Sequence, residues 1–201
     1  MTPEPAEPRG RLNMRAICAL CVDSNSLGLD ILAQMLMGFG VERIVRAQTG
    51  QDARLVLERQ EVDLMLCDAI LADEYGSSLI SWLRRSQIEP NRYVPIIMMS
   101  GHASPSAVDA ARACGSNFVI CKPTSPQVLM DRILWVARGG RMFVECDVYV
   151  GPDRRWKFAG PPAGEKGRRK SDLSTALGEA TQPNLSQDEI NAVIRPQKVA
   201  L

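Results

Sequence analysis

A doubly wound α/β fold, with a five-stranded parallel sheet between helices, is predicted by two features of the chain. Five short apolar runs alternate with five stretches of helical periodicity between residues 16 and 138. Four of the runs are apolar without interruption, which is how strands buried on both faces read. At 201 residues and 45% apolar, the chain can fill one core of ordinary size and still leave segments outside it.

The elements follow in order. Residues 1–13 hold three Pro among mixed charges and read as a disordered leader. The unit from 14 to 138 then opens with the run Ala16–Val22. Leu27, Ile31, Leu32, Met35 and Leu36 make the apolar stripe of a first helix. Ile44–Val45 marks a second strand, and Ala53, Val56 and Leu57 a second helix. Leu64–Cys67 is followed by Leu79, Ile80 and Leu83, and Val94–Met99 by Val108, Ala111 and Ala113. Phe118–Cys121 is followed by Val128, Leu129, Ile133 and Val136. Alternating strands and helices of this length imply βα units and right-handed crossovers. Residues 139–183 are rich in Gly, Pro and cations and read as a linker, with room for one extra strand near 142–150. Residues 184–196 turn helical again.

Composition removes several function classes. There are 24 Lys and Arg against 23 Asp and Glu, a net charge of +1, so the chain as a whole is not built for nucleic acid or an anionic membrane. No apolar run approaches the roughly 18 residues of a membrane span. No apolar stretch follows the first charges, so a secretory signal is not expected and the reading is cytoplasmic. Five of the six Cys lie in or beside apolar runs and read as reduced core thiols. Between Asp153 and Lys170, seven Lys/Arg face two Asp/Glu. That stretch reads as a solubilising linker, because aromatics other than Trp156 and Phe158 are missing from it.

Open parallel sheets bind ligands beyond the carboxyl ends of their strands. Asp23-Ser24 follows the first run, Asp68 the third, Ser100-Gly101 the fourth and Lys122-Pro123 the fifth. Two carboxylates, a hydroxyl and an ammonium therefore meet on one rim. The carboxylates suit a hard cation such as Mg²⁺; the hydroxyl and the ammonium suit a phosphoryl group. His102, the single His, reads as a loop side chain. Cys18 and Cys21 lie within a strand without a second pair, which is a weak signal for zinc.

With those motifs in place, residues 16–138 resemble a response-regulator receiver domain of the CheY-like, flavodoxin-like fold. The resemblance rests on CVDSN (21–25), DLMLCDAILADEYG (63–76), PIIMMSGHA (95–103) and FVICKPTSP (118–126). It implies a two-component phosphorelay protein with Asp68 as phosphoacceptor. Asp23, Asp68 and the carbonyl of Ile70 would be the Mg²⁺ ligands, and Ser100 the switch hydroxyl. Lys122 would contact the phosphoryl group, with a cis bond before Pro123. The implied partner is a histidine kinase or phosphotransfer protein. Three positions depart from the pattern. Ser24 replaces the second acidic residue and weakens the expected Mg²⁺ site. Val119 stands where the switch aromatic belongs, with Phe118 beside it on the other face. Ala72 replaces a Pro after the phosphoacceptor.

The peptide 184–196 reads NLSQDEINAVIRP. Ser186 and Glu189 have capping-box spacing, Leu185 and Ile190 make a staple, and Ile190, Val193 and Ile194 form a short stripe. A helix this short is marginal alone in water. The segment resembles the receiver-binding N-terminal peptide of the flagellar motor switch protein FliM. That resemblance makes Leu185, Glu189, Ile190, Val193 and Ile194 candidate partner-binding residues. Their expected dock is another receiver or the chain's own receiver, on a face of the fourth helix, fifth strand and fifth helix. The combined expectation is a response regulator without a DNA-binding or enzymatic output domain, acting through protein contacts. No helix-turn-helix is expected in 139–180, and no nucleophile–base pair points to an enzyme acting on outside substrates. The alternatives are a phosphorylation-independent pseudo-receiver adaptor, or capture of another receiver by the tail.

Overall fold

A computed structural model describes residues 14–102, 104–138 and 142–153. Five parallel strands lie in the order β2-β1-β3-β4-β5, with β1 Cys18–Val22, β2 Arg43–Ala47, β3 Leu64–Asp68, β4 Ile96–Ser100 and β5 Phe118–Cys121. Each strand is followed by a helix: α1 Ser26–Gly38, α2 Gly50–Arg59, α3 Gly76–Arg85, α4 Pro105–Ala113 and α5 Pro126–Arg138. This is the doubly wound parallel architecture that the alternation predicts. Every residue of β1 and β4 is buried, as the uninterrupted apolar runs require of strands covered on both faces. The parallel register brings Val22, Cys67 and Met98 level, so the residues just beyond them share one rim.

Two sequence expectations change in detail. The α1 stripe sits differently on its helix: Leu29, Leu32, Ala33 and Leu36 are buried, while Leu27 and Ile31 are exposed. The i, i+4 series of large side chains hid Leu29 behind its louder neighbours. In α4, Cys114 joins Val108 and Ala111 in the core and Ala113 faces water.

A third change lies in the segment read as linker with room for one strand. Residues 142–153 form an antiparallel hairpin, β6 Phe143–Cys146 and β7 Tyr149–Pro152, folded against the end of α3. Its seat is a pair of buried arginines. Arg84, at the end of α3, is 1% exposed and donates to the carbonyls of Gly115 (3.0 Å) and Arg92 (2.6 Å) and to Asn117 Oδ1 (3.1 Å). Burial pulls its pKa down to about 10, so it stays charged at neutral pH. The hairpin supplies what two buried guanidinium groups need. Phe143 lays its ring against Arg84 (5.4 Å) and edge-on to Tyr93 (4.8 Å), and Glu145 accepts from Arg92 Nη2 at 2.8 Å. Gly115 sits at φ +96°, and a Cβ there would stand 2.7 Å from the Val150 carbonyl oxygen. A side chain would therefore be strained by the backbone and blocked by the hairpin.

Candidate functional site

The rim is assembled by strand ends. Asp23 follows β1, and its N–H donates to the Ala47 carbonyl of β2 at 3.1 Å. Its carboxylate is almost wholly buried, and Oδ1 accepts from the Asn25 N–H at 2.8 Å. Asn25 in turn caps α1, accepting from the amides of Leu27 (3.0 Å) and Gly28 (3.4 Å). Gly28 is the close-approach position: a Cβ there would lie 2.7 Å from Asp23 Oδ2. The first turn of α1 thus packs directly against the acid.

Lys122 follows β5, with its N–H bonded to the Ser100 carbonyl at 2.8 Å. Its Nζ lies 2.7 Å from Asp23 Oδ2 and 2.9 Å from Asp68 Oδ2. Burial works against the ammonium charge, but hydrogen bonds and attraction from the two carboxylates outweigh it. The pKa of Lys122 therefore lies above the ordinary lysine value. Asp68, the last residue of β3, also accepts from the Ala69 N–H through Oδ1 at 2.7 Å. Three of the sequence-derived residues, Asp23, Asp68 and Lys122, are thus in direct contact.

Ser100 and Ile70 stand differently. Ser100 closes β4 and is 6% exposed, but its hydroxyl is engaged in a local turn. It donates to the His102 carbonyl at 2.6 Å and accepts from the His102 N–H at 3.2 Å. Ile70 is exposed in the loop after β3 and forms a bridge with Tyr75. Ser24 is exposed. The bond before Pro123 is cis, and so is that before Pro90. Leu185, Glu189, Ile190, Val193 and Ile194 lie outside the described residues.

Two carboxylates that reach the same ammonium can reach one metal ion, and hard oxygen donors of this kind fit Mg²⁺. No group of three His, Cys, Asp or Glu side chains suited to a metal occurs among the described residues. Asp23 and Asp68 are the side chains that could hold the ion. The thiols next to the site are held in the protonated form by burial. Burial drives Cys67 well above its ordinary pKa and Cys21 up to about 12.

Sequence reading missed several contributors. Asn25 carries a visible signal, a cap-forming residue just before an apolar-periodic stretch. Asp73, Glu74, Arg54 and Gly50 carry none, because their contacts span more than twenty residues of chain or close to it.

The family model for the response regulator receiver domain matches residues 19–134. Among curated proteins, the chain is 30% identical over 118 residues to the CAI-1 autoinducer sensor kinase/phosphatase CqsS of Vibrio cholerae. That match covers 58% of this chain and 17% of CqsS, so the chain spans only a small part of that relative. It is 27% identical to a chemotaxis protein CheY homolog of Campylobacter jejuni, covering 57% of this chain and 87% of the homolog. Among solved structures, a response regulator from Chloroflexus aurantiacus aligns with TM-score 0.57 at 28% identity, covering 61% of this chain and 98% of that one. The receiver domain of a sensor histidine kinase from Pseudomonas aeruginosa, with a magnesium ion coordinated in its active site cleft, aligns with TM-score 0.54 at 28% identity. That alignment covers 60% of this chain and 98% of the receiver. Among the described residues, no helix is long and apolar enough to cross a membrane.

Proposed function

This chain belongs to the response regulator receiver family, the phosphorylation-based signalling module of two-component systems, and we propose from that premise that Asp68 is its phosphoacceptor. The observation that carries the reading is the contact of one ammonium, Lys122, with both Asp23 and Asp68. An Asp68 carboxylate oxygen forms the new bond to phosphorus while the donor's bond to the same phosphorus breaks and the leaving group departs with its electron pair. Lys122 neutralises charge on the incoming phosphoryl oxygens. Asp23, Asp68 and the Ile70 carbonyl would hold Mg²⁺, which supplies further charge neutralisation; Ser24 leaves that site one carboxylate poorer. The hydroxyl of Ser100 then has a choice between its turn with His102 and a phosphoryl oxygen. Taking the second releases His102 and loosens the entry to α4, whose cap is Ser104.

The phosphodonor is a histidine kinase or a phosphotransfer protein. Output passes through protein contacts, and the 184–196 sequence is a candidate ligand for this receiver or for another. The test is incubation with acetyl phosphate and Mg²⁺, followed by mass measurement at low temperature. One phosphoryl group is expected on wild type and none on Asp68→Asn. Equal behaviour of the two proteins would overturn the reading. A second reading, a phosphorylation-independent adaptor, is favoured by Ser24 and by Val119 at the aromatic position.

A further inference from the structure

We infer that Asp73 and the Arg54–Glu74 pair are positioning residues that bolt the phosphoacceptor loop to helix α2 and so fix the stance of Asp68 and the Ile70 carbonyl. The inference rests on the reading of Asp68 as acceptor.

Residues 69–75 connect the acceptor to α3. Within the loop, Leu71 N–H donates to the Glu74 carbonyl (2.9 Å) and Gly76 N–H to the Ala69 carbonyl (2.9 Å). Those bonds shape the loop, whose first residue is tied to β4 by the Ala69 N–H donating to the Met99 carbonyl at 2.7 Å. Its α3 end is also plain: the N-cap Tyr75 makes no side-chain cap bond, and Ala72 lacks the rigidity of Pro. The loop has a second mooring on its far side. Asp73 Oδ1 accepts from the Gly50 N–H (2.8 Å) and Oδ2 from the Gln51 N–H (3.0 Å). These are the first two amides of α2, which have no partner inside the helix and attract a carboxylate. Both bonds favour the charged form and hold the Asp73 carboxyl below its ordinary value.

The second anchor sits one helical turn on. Glu74 meets Arg54 through two contacts, Oε1 to Nη1 at 2.7 Å and Oε2 to Nη2 at 2.8 Å. Of the two, the Nη2 contact is a hydrogen bond, whereas Nη1 and Oε1 meet as an ion pair without hydrogen-bond geometry. Arg54 stacks 5.0 Å over the ring of Trp82 in α3, so the guanidinium is held on both sides. Gly50 is what lets the loop come this close: a Cβ on it would collide with the Glu74 carboxyl. The loop, the start of α2 and the middle of α3 therefore behave as one body. Asp68, held in the sheet beside Met99, and Ile70 lie at its start, and groups that orient metal ligands act on affinity although they touch no metal.

The test uses the full chain and three variants, Asp73→Ala, Asp73→Asn and Glu74→Gln. Each is followed by thermal melting, by Mg²⁺ titration of amide spectra and by the rate of phosphorylation from acetyl phosphate. Outer-shell losses typically cost 10–100-fold in metal affinity. Asp73→Ala is accordingly expected to weaken Mg²⁺ binding by about tenfold, with Asp73→Asn, which keeps one acceptor oxygen, in between. Unchanged Mg²⁺ affinity and phosphorylation rate in all three variants, whatever the melting temperature, would overturn the inference and leave the clamp a purely structural device. If wild type binds Mg²⁺ but takes no phosphoryl group, the acceptor reading fails and the Mg²⁺ arm alone decides the clamp. If wild type does neither, both fall.

Discussion

Phe118 sets its ring edge-on against Trp135, with centroids 5.2 Å apart and planes at 70°. Arg132 covers the same ring at 4.8 Å, so the β5 aromatic is locked among α5 side chains. The neighbouring Val119, on the opposite face, is buried and too short to follow a moving Ser100 hydroxyl. Phe118→Leu should therefore lower stability by about 1–2 kcal/mol through lost packing. Affinity for a phosphoryl mimic such as beryllofluoride should stay within twofold of wild type, a margin of about 0.4 kcal/mol. Denaturant melts and a beryllofluoride titration check both, and a large affinity change would mean that this ring is part of the switch.

Lys122→Met removes the partner of a buried carboxylate, Asp23. A cost of about 1–3 kcal/mol at neutral pH is expected for an abandoned buried acceptor. The pH dependence has a definite sign. The folded pKa of Lys122 is raised, so its contribution is fully present below the ordinary value of 10.5 and fades as pH rises through the higher folded value. Urea melts should show a constant gap between wild type and variant from pH 7 to about 10, closing only above that. A gap that closes below pH 10 would contradict the pairing.

Ser24→Asp restores a second carboxylate beside Asp23. Mg²⁺ affinity should rise by about tenfold, since hard cations respond to ligand charge. Amide titration with and without the substitution measures it. An unchanged affinity would place residue 24 out of reach of the metal.

The hairpin makes a separate prediction. Phe143→Ala should cost about 1–3 kcal/mol, and a chain ending at residue 138 should melt well below one ending at residue 153. Both changes act at the end of the sheet away from Asp68, so Mg²⁺ affinity should be untouched. Equal melting of the two chain lengths would show that the arginine pair does not need its cover.

The strands and their rim residues were legible because burial on both faces leaves an unbroken apolar run, and the next polar residue marks its end. The helix faces were less so. In α1 the exposed Leu27 and Ile31 imitate a core stripe, and only packing shows that Leu29 is the residue turned inward. The hairpin was half visible: Glu145, Cys146 and Asp147 break the alternation that a strand pair usually shows, and its stability comes from Arg84 and Arg92, some fifty to sixty residues earlier. The loop clamp was invisible, because an acid that caps a helix belonging to another part of the chain leaves no local spacing to read.

The hairpin also decides where the rest of the chain departs. Gly115 and Arg92 lie in the turns that enter β5 and β4, so β7 is moored at the strands' starting ends. The acidic rim is at their finishing ends, about 16 Å of strand away. The described chain thus ends, at Asp153, at the pole of the molecule opposite to its acidic rim, and residues 142–153, which the family match does not include, hold that end away from Asp23, Asp68 and Lys122.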